Sequence, residues 1–418
     1  MKAPGMNRGD APGASQAKSL GRALSALAER CRRELDESVV PFWLRHSLDR
    51  ECGGYLTGLD RQGAVYDDRK YMWLQGREVW TFSRLYNQWQ RREEFLDAAR
   101  LGADFIRKHG RDEQGRVYCT LTRDGRPLHY QRKPYAAVFT MMGLHEYGLA
   151  AGDARCREEA KALFWDIERW ISDPALIGRL PRPASAPKVS ALADEMVLMS
   201  MAMELLAVED DPRVRQVLAD AVARAKLHYD PERRVLMELA ALDGTDLRGS
   251  PDGRLFNPGH SVEVGWFLLH TLEFRPDEDL RRMALEAIEG SLEAGWDREF
   301  GGLLYLMDIE GRPPLQLEHF MKLWWPHTEA LYAVALAAKL TGDGKWLPWL
   351  ERLGDYTWAH FPDPECGEWL GYLDRQGRPT HTCKGGNYKG CFHVPRALLM
   401  TAQLLSSGAV RAGCQPPP

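Results

Sequence analysis

A short motif recurs along this 418-residue chain and constrains what the chain can fold into. It reads CGGYLTGLDRQGAVYDD around residue 54, QGRVYCTLTRDGRP around 115, FGGLLYLMDIEGRP around 301 and CGEWLGYLDRQGRP around 367. Weaker echoes stand in IGRLPRP near 178 and PERRVLMELAALDGTD near 233. Each copy alternates aromatic or aliphatic residues and then turns through a glycine, the pattern of a short β-hairpin. The anchors are separated by steps of about 55 to 68 residues, which makes the chain an array of six related modules rather than two or three unrelated domains.

Between the hairpins, segments such as GREVWTFSRLYNQWQ, ADEMVLMSMAMELL, EVGWFLLHTLEF and HTEALYAVALAAKLTG place apolar residues at i, i+3, i+4 and i+7, a helical period. A module of about 60 residues holds two helices and one hairpin, and six modules fill the chain from about residue 20 to 410. The expected fold is all-α: an (α/α)6 barrel of about twelve helices, alternating between an inner and an outer ring, with short β-hairpins between modules. A solenoid would also repeat, but it needs polar capping modules, which are missing here, and ADEMVLMSMAMELL suits an enclosed ring. One barrel domain is expected over 21–410. Disordered segments are expected over 1–20, rich in Gly, Pro, Ala and Ser, and over 411–418, which ends in CQPPP.

Charge and composition exclude several partners. With 55 Lys and Arg against 59 Asp and Glu, the net charge of −4 gives no footing for nucleic acid. No run approaches the roughly 18 to 20 apolar residues of a membrane span, and the first residues lack the apolar stretch of a secretory signal. A cytoplasmic protein without membrane contact is therefore expected. Cys31, Cys52, Cys119, Cys156, Cys366, Cys383, Cys391 and Cys414 form no CxxC and are read as reduced thiols. The 14 tryptophans point mainly to core packing, with sugar stacking as the other use of an aromatic face.

Phase selects the candidate site residues. Arg77, Glu195, Glu263 and Glu329 stand about 38 residues before the anchors at 115, 233, 301 and 367, and His393 is next in step. Equivalent points on successive inner helices lie at one height around the barrel axis, so these five side chains are expected to converge. Taken singly, each is equally a cap or dipole partner in a first helical turn. His260 stands three residues before Glu263, on the same helical face, and a carboxylate beside an imidazole suits general acid–base work. A metal set of His260, Glu263, His327 and His393 is the alternative, without an HExxH context. Cys391 and His393 are two residues apart, so a Cys–His nucleophile pair would point apart on a helix. MKLWWPHTEAL crowds Lys322, Trp324, Trp325, His327 and Glu329 into one helix entry, where a tryptophan could serve as a sugar platform or as core. Neither GxGxxG, GxxxxGK[ST] nor GxSxG occurs in a suitable context. Paired glutamates keep glycoside hydrolysis open.

YDDRKYMWLQGREVW (66–80), NPGHSVEVGWFLL (257–269), MKLWWPHTEAL (321–331) and KGGNYKGCFHVPRAL (384–398) resemble the N-acyl-D-glucosamine 2-epimerase family, called renin-binding protein in animals. The resemblance runs from about residue 25 to 405 and implies the same (α/α)6 barrel. It implies epimerisation at C2 of N-acetylglucosamine and N-acetylmannosamine, the sugars of sialic acid metabolism, with His260 and His393 as the two acid–base groups. Arg77 and Glu329 match positions that contact the sugar or support the reaction. Glu263 is expected to orient His260, and Glu195, Lys322, Trp325 and His327 to line the pocket. No metal or redox cofactor is implied; ATP or another nucleotide is implied as an effector, and a homodimer as the assembly. An aldose–ketose isomerase or 2-epimerase of unacetylated sugars, and a non-catalytic protease-binding protein, are the competing readings.

Overall fold

Two burial patterns sort the helices into two rings. Along Pro212–Leu227 only Val214, Leu218, Ala221 and Ala225 are buried, a single stripe facing one neighbour. Along Trp324–Thr341 every residue from Trp324 to Ala338 is buried, so that helix is enclosed on all sides. The computed structural model describes residues 12–131, 133–178 and 185–406. Its helices are α1 (Pro12–Glu34), continued through a π-helical turn (Leu35–Val39) into α2 (Val40–His46), then α3 (Met72–Gln88), α4 (Glu93–His109), α5 (Tyr135–Ala150), α6 (Ala154–Ser172), α7 (Leu192–Leu206), α8 (Pro212–Leu227), α9 (Pro258–Thr271), α10 (Glu278–Gly295), α11 (Trp324–Thr341), α12 (Leu347–His360) and α13 (His393–Ser406). The odd-numbered helices from α3 to α13 touch one another in sequence and α13 returns to α3, closing an inner ring. α1 with α2, and α4, α6, α8, α10 and α12, form the outer ring. The expected (α/α)6 barrel is the observed one.

Helix α1 starts at Pro12 and buries Leu20, so it overlaps the segment 1–20 expected to be disordered. Residues 1–11, the tail 411–418 and most of IGRLPRP lie outside the described residues. Cys31, Cys52, Cys119, Cys156, Cys366, Cys383 and Cys391 are unbridged, as expected, and Cys414 falls outside the description. No described helix is long and apolar enough to cross a membrane.

The hairpins tie each module to the next. The two- or three-residue strand before an inner helix pairs antiparallel with a strand of the following hairpin: Lys70–Tyr71 with Thr120–Leu121, Val189–Ala191 with Leu239–Ala241, and Lys322–Leu323 with Tyr372–Leu373. A buried clasp repeats at three of these junctions. Asp49, Asp297 and Asp363 each accept two backbone N–H groups of their own turn. Each also takes a fully buried lysine, Lys70 at 2.8 Å, Lys322 at 3.2 Å and Lys384 at 2.8 Å. An arginine from the next hairpin completes it: Arg123 at 2.9 Å, Arg375 at 3.0 Å and Arg61 at 2.7 Å. Because Arg61 belongs to the first module and Asp363 to the last, the third clasp also locks the ring shut. Gln75, Ser261 and His327, equivalent positions of α3, α9 and α11, then receive the hairpin N–H groups of Tyr55, Leu236 and Leu303.

Candidate active site

The N-terminal turns of α9, α11 and α13 bring two histidines against one tryptophan. In NPGH, Asn257 caps α9 by accepting the N–H of His260, and the ring of His260 lies 5.1 Å from that of Trp325. Gly259 is required here, since a Cβ at that position would meet the Trp325 ring at 2.7 Å. His393, the first residue of α13, approaches Trp325 with a ring separation of 5.8 Å.

Each imidazole has its own carboxylate. His393 Nδ1 lies 2.8 Å from Glu329 Oε1, and His260 Nδ1 lies 2.9 Å from Glu238 Oε1. With Nδ1 engaged, Nε2 is the nitrogen each ring has left for a substrate. Their charge states are driven apart. Burial, reinforced by Arg77 and Arg396, holds His393 well below the ordinary imidazole value, so it is neutral near pH 7. Burial also opposes charge on His260, but the carboxylate of Glu238 outweighs it and holds this group above the ordinary value. One neutral base and one imidazole biased toward protonation therefore stand against the same indole.

Arg396 and Arg77 supply the positive charge. Arg396 Nη2 donates to Glu263 at 2.6 Å and reaches Glu329 at 2.7 Å, and Trp266 Nε1 donates to the other oxygen of Glu329 at 3.1 Å. Arg77 is sandwiched by aromatic rings, Phe139 at 4.0 Å and Phe392 at 4.9 Å, and its Nε is buried without a hydrogen-bond partner. Burial and the nearby Arg396 push Arg77 down to about 9, which leaves it cationic at neutral pH. Glu263, Glu329 and His393 place three donor atoms within 4.8 Å of one another, but the guanidinium of Arg396 already sits against both carboxylates.

Arg77, Glu263, Glu329 and His393 thus come together as the phase argument expects, and His260 and Trp325, singled out on other grounds, join them. Three other expected pocket residues do not. Glu195 turns toward the outer ring, where it accepts from Arg224 at 2.9 Å and from Ser190 at 2.8 Å. Lys322 is spent in the Asp297 clasp. His327 receives the N–H of Leu303 at 3.0 Å on Nε2 and donates from Nδ1 to the Leu323 carbonyl at 2.7 Å, and burial pushes it down to about 3. The expected orientation of His260 by Glu263 is also corrected: Glu263 pairs with Arg396, and Glu238 holds His260. The metal set containing His260 and His327 is not assembled. Cys391 is buried with its thiol raised well above the usual value, which removes the nucleophile reading. Arg396 and Glu238 were missed. Arg396 stands one helical turn after His393 and so shares its face, whereas Glu238 sits in a bend between the strands Val235–Leu236 and Leu239–Ala241 and carries no spacing signal toward α9.

A family model described as N-acylglucosamine 2-epimerase (GlcNAc 2-epimerase) matches residues 53–397. The chain belongs to this family. The epimerase is 41% identical over 392 residues to an N-acylglucosamine 2-epimerase of Bos taurus, covering 92% of each chain. It is 39% identical to that of Homo sapiens, covering 92% of this chain and 91% of the other. A cellobiose 2-epimerase of Bacteroides fragilis is 32% identical, with 88% of this chain and 97% of the other covered. Among solved structures, a sugar epimerase from a ruminal bacterium superposes with a TM-score of 0.75 at 21% identity, covering 92% of this epimerase and 100% of that chain. At that identity the likeness carries the fold alone.

Proposed function

We propose that this epimerase interconverts N-acetylglucosamine and N-acetylmannosamine by moving the C2 proton of the ring-opened sugar between His260 and His393. The observation that carries the reading is the pair of imidazoles against one tryptophan, each bonded through Nδ1 to a carboxylate. Next to an aldehyde, the C2 proton is acidic enough for an imidazole to remove, and the electrons pass to O1 as an enediolate-like anion. His393 Nε2 takes the proton from one face. His260 returns a proton from the other face, and C2 is inverted. After one turnover the two rings have exchanged charge states, so the reverse reaction uses them in the opposite roles.

Arg77, cationic and with an unspent N–H, suits the developing charge on O1, where a preorganised donor in a site of low dielectric is most effective. Glu329 orients His393 and balances the imidazolium it becomes. Glu329 and Glu263 hold Arg396 charged despite its burial. Trp325 offers its ring as the floor between the two bases. From the family resemblance we also propose a homodimer, measurable by light scattering, and a nucleotide effector, measurable by calorimetric titration with ATP.

The test is proton NMR of the protein with N-acetylmannosamine in deuterated water. N-acetylglucosamine carrying deuterium at C2 is the expected product. A ketose formed from mannose with N-acetylmannosamine untouched would replace this reading with an isomerase, and inertness toward all sugars would indicate a binding protein.

A further inference from the structure

Glu238 belongs to none of the motifs that carry the family likeness, yet its carboxylate touches a reacting group. It lies in the hairpin of the fourth module, and its backbone is fixed on both sides: its N–H donates to the Leu255 carbonyl at 3.1 Å and its own carbonyl accepts the N–H of Leu192 at 3.0 Å. Leu255 lies just before α9 and Leu192 opens α7, so the residue is held by two neighbouring modules. Its side chain is 17% exposed, and among the described residues its one hydrogen bond goes to His260. The contrast with Glu329 is direct. That carboxylate is shared by His393, Arg396 and Trp266, so an arginine already balances its charge. Among the described residues no arginine or lysine pairs with Glu238.

We propose that Glu238 is the positioning residue of His260: it fixes the ring through Nδ1, leaves Nε2 to the substrate, and provides the negative charge that an imidazolium at this site requires. The inference rests on the two-histidine reading of the reaction. It also explains how two histidines against one tryptophan acquire different roles, since their carboxylates differ in what else they bind. The groups facing His260 from the surrounding elements are Glu238 from the hairpin, Glu263 from α9, Lys133 ahead of α5 and His393 from α13. Tyr305 stands across Trp325, with a ring separation of 6.2 Å. Glu238 is the member of this group that makes a hydrogen bond to the ring.

Glu238→Gln keeps an acceptor at the same place and removes the charge. Three readouts test it: the pH profile of kcat/KM, the ring-nitrogen NMR titration of His260, and the thermal midpoint, each compared with Glu238→Asp and His260→Asn. The expected result is a His260 titration, and the alkaline limb of the profile with it, displaced downward by about one pH unit or more. A loss of activity of about 10- to 100-fold near pH 8 accompanies it, with KM nearly unchanged, an unaltered thermal midpoint and partial rescue by Glu238→Asp. If His260 titrates at its original pH in Glu238→Gln, the assignment is overturned whatever the activity does. If instead the titration moves while His260→Asn remains active, the positioning contact stands and the two-histidine reading fails.

Discussion

The clasp around Asp297 and the cluster around Glu329 lie close in sequence, and both bury a carboxylate against a cation. Asp297 spends its oxygens on two N–H groups of its own turn, on Lys322 and on Arg375, and the same set recurs at Asp49 and Asp363. Glu329 binds an arginine, an imidazole and an indole, a combination found at one junction of the ring. The clasps are closed arrangements whose lysines and carboxylates answer one another. The cluster at Glu329 holds His393 through Nδ1, and Nε of the neighbouring Arg77 is buried without a partner among the described residues. The buried charge of the clasps repeats from module to module and is scaffold, whereas the buried charge at Glu329 is built around the proposed reacting groups.

Substitutions at both places sharpen this contrast. His393→Asn or His260→Asn lowers kcat by about 10²- to 10⁴-fold, with little change in the thermal midpoint, as measured by NMR turnover beside calorimetry. Asp297→Asn does the reverse. It strands Lys322 without its counter-ion and costs about 3–5 kcal/mol of stability in denaturant titration, while the folded fraction keeps its kcat. Equal losses of activity and stability in both sets would erase the distinction. Gly259→Ala tests the junction between scaffold and site, because the added Cβ displaces Trp325; a fall in kcat of about tenfold or more is expected, as for a misplaced reacting group.

The pH dependence gives the smallest and most specific effect. His393 is needed neutral, and its lowered value means that activity is lost only as the pH falls well below 6.5. His260 is needed protonated, and its raised value means that activity is lost as the pH rises above 6.5. The two limbs are macroscopic properties of the pair, and kcat/KM is expected to hold a plateau between them.

The same contrast shows what could be read from the sequence. The hairpin repeat carried the barrel, and phase brought Arg77, Glu263, Glu329 and His393 together, because helices of one ring begin at one height. Phase fixes height and not direction, so Glu195 was placed at the axis although its carboxylate reaches outward to Arg224. Lys322 and His327 could have been read correctly. Lys70 stands seven residues before Arg77 as Lys322 does before Glu329, and Gln75 stands two before Arg77 as His327 does before Glu329. Residues that recur at matched positions belong to the scaffold. Glu238 was out of reach, since its contact with His260 depends on a bend between two strands that pair with different partners.

The most direct test of two bases acting on opposite faces is C2 hydrogen exchange in the single-histidine variants. His260→Asn and His393→Asn are each incubated with N-acetylglucosamine and with N-acetylmannosamine in deuterated water, and the C2 proton is followed by NMR. The account predicts that each variant exchanges the C2 proton of one epimer without converting it, and that the two variants choose opposite epimers. Exchange of the same epimer by both variants, or epimerisation retained by either, would contradict it.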